Sequence, residues 1–136
     1  MRYIKEQEIN SLLSKSINEE NIEILVSNFY TLVLKDPLLS PFFIDKLGDN
    51  LQDKKWVEHL QLLTEFWKFV ALGYEEYNGN PLQPHYHIEG LSRKAFTQWL
   101  YLFHQTIDTV YTPSIGEYFK QKSTDIAENF MRKLNL

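Results

Sequence analysis

The stretch WVEHLQLLTEFWKFV, residues 56–70, decides the fold class of this chain. Its apolar side chains recur every three or four positions, so they lie along one face of an α-helix. Gly73 follows this stripe, and glycine is typical of the position after a helix ends. We therefore predict a long helix over about residues 52–72. His59 is the polar exception, because it falls inside the apolar stripe.

A second helical pattern precedes this stretch. Ser16 followed by Glu19 is a candidate capping box, and apolar residues then recur at helical spacing as far as the start of segment 36–43. That segment contains two prolines and is too short for a full helix. We therefore predict a tight corner that turns Phe42 or Phe43 inward.

Two more long helices follow an irregular segment. Residues 73–92 hold three glycines and two prolines, so we predict no long helix there. Ser92 can cap a third long helix, which must stop before Pro113. Ser114 and Glu117 form a candidate capping box for a last helix. Since no alternation of period two persists, the predicted fold class is all-α.

Composition and charge narrow the class of protein. A chain of 136 residues suits a single domain over residues 1–136, and 43% hydrophobic with 24% charged residues is typical of a soluble globular protein. The net charge of −4 provides no basic surface for nucleic acid or an anionic membrane. No apolar run approaches the ~20 residues of a membrane span. We therefore expect a cytoplasmic protein with neither nucleic acid nor membrane as a partner.

The residue types present limit the kinds of metal site and catalysis that the chain can support. The chain has no cysteine, which excludes disulfides, thiolate catalysis and Cys-bound zinc or iron–sulfur sites. Any bound metal must therefore have His or oxygen ligands. His59 lies within an apolar stripe, and Tyr30 lies on the inward edge of its helix. A plain helical bundle would have to satisfy both groups within its core.

Five stretches of the chain, in this order and with these spacings, resemble the group III truncated haemoglobins, a family of compact bacterial globins. They are NFY at 28–30, LLSPFF at 38–43, W-x-x-H-x(6)-FW at 56–67, YNGNPLQPH at 77–85 and F-x-x-WL at 96–100. The similarity runs from about Asn21 to the last residue. It implies a truncated globin fold, a two-over-two helical sandwich around a haem b group.

The resemblance also implies roles for individual residues. His85 matches the proximal iron ligand, and a neutral imidazole suits ferrous and ferric iron alike. Its other ring nitrogen is expected to donate to a backbone carbonyl or to water. The residues that match the polar groups of the distal pocket are Tyr30, His59 and Trp99. Those that match apolar haem contacts are Phe43, Leu63, Trp67 and Phe96.

The sequence leaves three points open. His87 lies two residues beyond His85, so it is the alternative ligand or a partner for a haem propionate. His59 can bond with a bound ligand, swing out as a gate, bind iron itself or be a satisfied core histidine. Residues 1–20 have no clear counterpart in the family and are predicted to form an added helix or a loose arm.

The implied function is reversible binding of O2, NO or CO at a five-coordinate iron. Buried donors near the ligand slow its release, so we expect high oxygen affinity. The alternative is a haem enzyme that detoxifies NO or peroxide. Its electrons would come from an external reductase, because the chain carries no Gly-rich nucleotide-binding motif. A haem-free helical interaction domain is the third hypothesis, and the intact His85, Tyr30 and Trp99 argue against it.

Overall fold

The computed structural model of the chain describes residues 12–136. They form five α-helices: α1 Glu19–Val33, α2 Ser40–Leu47, α3 Lys54–Leu72, α4 Arg93–Val110 and α5 Pro113–Lys133. A short 3₁₀ helix, Gln83–His87, lies between α3 and α4. Residues 12–136 include no β-strand, so the all-α prediction is confirmed. Within the same residues, no helix is long and apolar enough to cross a membrane.

Helix α1 packs against both α3 and α4, and α4 packs against α5. One face of α1 is fully buried because its large apolar residues recur at helical spacing: Ile22, Leu25, Phe29 and Val33. In the core they join Trp56 of α3, Phe103 and Ile107 of α4, and Phe119 of α5. The two helix pairs of the predicted two-over-two fold are α1 with α3 and α4 with α5, and α1 also packs against α4 across them.

Helices α3 and α4 begin and end close to the predicted residues. Helix α3 ends at Leu72, and Gly73 follows with φ of 71°, a left-handed conformation that glycine adopts without steric penalty. The Ser92 hydroxyl caps α4 by accepting a hydrogen bond from the N–H of Ala95 at 3.2 Å. Helix α4 then ends before Pro113, as predicted.

Both predicted capping boxes are wrong. The N-cap of α1 is Asn18, whose side chain accepts from the N–H of Asn21 at 2.8 Å, while the Asn21 side chain accepts from the N–H of Asn18 at 3.0 Å. Ser16 therefore lies outside the cap. Pro113 takes the first position of α5, where its missing N–H has no intrahelical acceptor to lose, and this moves Ser114 inside the helix.

The corner after α1 contains a helix that the sequence did not predict. Helix α2 spans Ser40–Leu47, and Pro41 lies in its first turn, where proline does not interrupt the hydrogen bonds. Asp36 fixes the entry to this corner. One of its carboxylate oxygens accepts from the backbone N–H groups two and three residues later, and the other accepts from Gln98 of α4 at 2.7 Å.

The beginning of the described chain is bound to the junction of α4 and α5. The N–H of Ser14 donates to the carbonyl of Val110 at 2.9 Å, and its carbonyl accepts from the N–H of Thr112 at 3.1 Å. Of the predicted N-terminal arm or helix, residues 1–11 lie outside the described residues.

Replacing Tyr111 by Phe should lower the free energy of unfolding by about 1 kcal/mol. The hydroxyl of this buried residue donates to the Asn21 side chain at 2.7 Å, so the change removes a buried hydrogen bond and keeps the ring. Chemical denaturation measures the difference. Tyr101→Phe is the control, since this ring is 57% exposed. If both variants unfold like the wild type, the Tyr111 bond does not stabilise the fold.

Candidate functional site

A cavity of about 500 Å³ opens between the helices. All five helices and the segment before α4 contribute to its lining, which is predominantly apolar. Protein interiors are otherwise close-packed, so an apolar space of this size is not a packing defect. It lies within the range of about 300–1,000 Å³ that is typical of ligand pockets.

All eight site residues predicted from the sequence line this cavity. They come from four helices and from the 3₁₀ helix, so only the tertiary fold brings them together: Tyr30, Phe43, His59, Leu63, Trp67, His85, Phe96 and Trp99. Phe42 lines the cavity as well. Both phenylalanines of the predicted corner, which belong to α2, therefore face the cavity, where one was predicted.

His85 is held by its own segment and by two aromatic rings. Its Nδ1 lies 2.7 Å from the carbonyl oxygen of Pro81. A carbonyl can only accept, so Nδ1 carries the proton and donates it. Burial lowers the pKa of His85, which favours the neutral ring with a free lone pair on Nε2. The ring stacks on Phe96 and contacts Phe130 edge-on, with centroids 6.1 and 5.0 Å away.

His59 carries an unsatisfied polar atom. Its Nε2 is buried and has no hydrogen-bond partner among residues 12–136. The ring centroid lies 5.7 Å from that of Tyr30, 5.6 Å from Trp56 and 6.2 Å from Phe43, all edge-on. Burial lowers the pKa of His59, so the ring is neutral near pH 7. Because a buried polar atom without a partner is costly, an occupant that bonds with His59 Nε2 would stabilise this arrangement.

Tyr30 and Trp99 add two further polar groups. Burial raises the pKa of the Tyr30 phenol well above its ordinary value, and the Trp99 side chain, which can donate to the phenol oxygen, partly opposes this rise. The Tyr30 hydroxyl therefore keeps its proton at neutral pH and can donate it. The Trp99 ring stacks on Phe103 at 5.1 Å and meets Phe29 edge-on at 5.2 Å, which fixes its position.

The two remaining histidines lie away from the cavity lining. His87 is exposed, although it lies only two residues from His85. His104 lies between α4 and α5, with its Nε2 3.3 Å from the hydroxyl oxygen of Ser123. Between residues 12 and 136, no three His, Cys, Asp or Glu side chains form a cluster that could hold a metal ion.

Several lining residues were not predicted. Ala127 and Phe130 come from α5, and Lys46 and Tyr77 come from the last turn of α2 and the irregular segment. The apolar stripe of α5 was visible in the sequence. Nothing in it distinguishes a side chain that faces the cavity from one that faces α4, so the sequence contained no signal for these contacts.

An all-α fold around a large apolar cavity, with a histidine oriented by a local hydrogen bond in its wall, is the arrangement of a globin. The chain matches the family of bacterial-like globins over residues 16–133, and it belongs to that family. It is 33% identical over 120 residues to the group 3 truncated hemoglobin ctb of Campylobacter jejuni subsp. jejuni serotype O:2 (strain ATCC 700819 / NCTC 11168). The aligned region covers 88% of this chain and 93% of that relative.

A solved structure agrees with this assignment. The crystal structure of the group III truncated hemoglobin from Campylobacter jejuni matches with a TM-score of 0.84 at 33% identity, covering 90% of this chain and 94% of that one. The predicted resemblance and the predicted fold are thereby confirmed. Haem-based binding of small gaseous ligands such as O2 follows from membership of this family.

The unfolding free energy of the haem-free protein should fall as the pH is lowered through about 6.5. The pKa of His59 is lowered in the folded state, so the unfolded chain takes up protons more readily and acid favours unfolding. His85 acts in the same direction. Denaturation at pH 7.5 and 5.5 measures the change.

The matched variants for this experiment are His59→Leu and His87→Gln. His59→Leu should show a smaller loss of stability between the two pH values, whereas His87→Gln should keep the wild-type loss, because His87 is exposed. An unchanged pH dependence in His59→Leu would contradict the burial of a neutral His59.

Proposed function

We propose that this globin binds haem b in the cavity, with His85 Nε2 as the single protein ligand of a five-coordinate iron. On the other face of the haem it binds O2, NO and CO reversibly, with high oxygen affinity. The hydrogen bond from His85 Nδ1 to Pro81 carries this proposal, since it leaves Nε2 as a neutral donor in the cavity wall. Histidine is a typical ligand of haem iron. A hydrogen bond donated by the ring nitrogen that does not bind the metal orients the imidazole.

The residues of the cavity fit a haem group. Its apolar lining suits a flat apolar ring, and Phe96 and Phe130 keep the His85 ring in place beside it. The unpartnered Nε2 of His59 suits a cavity whose occupant supplies the missing partner. When bound, haem would supply an iron that can take a small ligand such as O2 and polarise it.

The polar groups of the cavity suit such a ligand. The Tyr30 hydroxyl stays protonated because burial raises its pKa, so it can donate to a partly negative atom. The indole N–H of Trp99 is a donor only, and neutral His59 has one donor nitrogen. Tyr30 and His59 are near neighbours, with ring centroids 5.7 Å apart. Donors to a partly charged ligand slow its release, and this supports the proposed high affinity.

The alternative is turnover of NO or peroxide with electrons from an external reductase. The same donors could stabilise negative charge that develops on a reacting ligand. No feature of residues 12–136 favours turnover over reversible binding, so binding is the function that we propose.

His85→Ala should abolish haem binding or the normal absorption spectrum, while His87→Ala should keep both. His85 lies in the cavity wall with its Nδ1 already bonded, whereas His87 is exposed and outside the lining. Titration of the two apoproteins with haem, followed by the Soret band, makes the comparison. The reverse result would assign the ligand to His87 and overturn the proposal for His85.

Tyr30→Phe should speed the release of O2 by about ten- to a hundredfold, because it removes a donor to a partly charged acceptor. Trp99→Phe should act in the same direction. CO carries less negative charge when bound, so its release should change less in both variants. Tyr101→Phe, on the exposed surface, is the matched control. Stopped-flow release rates within about twofold of the wild type for both variants would exclude Tyr30 and Trp99 as donors.

A further inference from the structure

We propose that Lys46, at the mouth of the cavity, pairs with a carboxylate of the molecule that occupies it. For haem, this means that a propionate lies beside Lys46. The inference rests on the proposed function and adds to it the group that recognises the charged edge of the cofactor.

The position of Lys46 carries this inference. Among the cavity-lining residues in the described range 12–136, it has the only side chain of the Lys, Arg, Asp or Glu type. It lies in the last turn of α2, between Phe43 and Leu47, which line the same wall and are partly buried. Lys46 itself is exposed. A long side chain that both lines a cavity and reaches solvent positions its ammonium where the apolar interior meets water.

The charges around the mouth favour an anion there. The protein as a whole carries a net charge of −4, which repels an anionic molecule. No Asp or Glu lines the cavity, and no acidic side chain of residues 12–136 forms an ion pair with Lys46. At physiological ionic strength, charges more than about 8 Å away are largely screened. Within the lining described, the Lys46 ammonium is therefore the group that can attract an anion, although the exposed carboxylate of Asp45 lies on the same helix outside the lining.

The chemistry of the cavity defines what kind of molecule Lys46 meets. The apolar lining takes an apolar ring out of water, but it cannot take a carboxylate without a large desolvation cost. An occupant with an apolar body and carboxylates on one edge must therefore leave that edge at the mouth. Tyr77 and Asn80, the polar residues of the irregular segment in this lining, are neutral and leave Lys46 as the cation.

This assignment differs from the one that the sequence suggested. The sequence left His87 open as the alternative ligand or as a partner for a propionate, and the structure places this residue on the surface, outside the cavity lining. Lys46 lies in the lining, and its side chain ends in an ammonium group that donates up to three hydrogen bonds.

The test compares metal-free protoporphyrin IX with its dimethyl ester, which has the same ring but no carboxylates. Without iron, the measurement does not depend on His85. Titration at low salt, followed by quenching of tryptophan fluorescence, gives the affinity of each porphyrin for the whole chain. The variants are Lys46→Met, which removes the charge and keeps a long apolar side chain, Lys46→Glu and Lys46→Arg.

Wild type should bind the diacid more tightly than the ester. Lys46→Met should weaken binding of the diacid by about two- to fivefold, as for other exposed ion pairs, and Lys46→Glu should weaken it further. Binding of the ester should not change, and added salt should reduce the effect. Lys46→Arg should behave like the wild type. Lys94→Glu is the matched control, since it changes the net charge equally at an exposed position outside the cavity.

Two results would overturn the pairing while haem binding stands. One is an equal loss of diacid binding in Lys46→Glu and Lys94→Glu, which would indicate a general charge effect. The other is an equal loss for diacid and ester in Lys46→Met, which would indicate damage to the wall of the cavity. If the wild type binds neither porphyrin nor haem, the proposed function itself fails. Thermal unfolding of the apoproteins shows whether each variant is folded.

Discussion

The edge-on packing of Phe29 is the interaction on which both the core and the cavity depend. Its ring lies 4.9 Å from that of Phe103, 5.2 Å from Trp99 and 4.8 Å from Tyr30, and it is almost fully buried. Through this face α1 packs against α3 and α4 together. Phe29 and Tyr30 are adjacent and both line the cavity, so the packing that buries Phe29 also fixes Tyr30 in the cavity wall.

The cavity stays open because its walls are stiff. Trp67, Phe103 and Trp99 form a continuous stack, with ring centroids 5.1 Å apart at each step. Aromatic rings in such a stack cannot fold inward to fill the space as flexible side chains would. A cavity of this size lacks the contacts of a close-packed core, and a molecule that binds the folded state alone adds stability by mass action.

Much of the fold could be predicted from the sequence, because the hydrophobic periodicity of long amphipathic helices such as α3 is easily recognised. Helix α2 could not, since eight residues with a proline in the first turn are too few to establish a period. The position of His85 followed from sequence motifs and its Pro81 bond is local, but its contact with Phe130 joins residues 45 positions apart. Periodicity fixes which face of a helix is apolar, and only tertiary packing decides what that face meets.

The hydrogen bond between His85 and Pro81 spans only four residues within a segment that belongs to neither helix pair. One of the contacts that orient this imidazole is therefore local, whereas those with Phe96 and Phe130 require α4 and α5 to be in place. Such short-range contacts carry a small loop-closure cost. During folding, this hydrogen bond can therefore form within its own turn, whereas the aromatic contacts of the ring form only when α4 and α5 dock. In evolution, a substitution in the turn can alter the Nδ1 contact separately from those aromatic contacts.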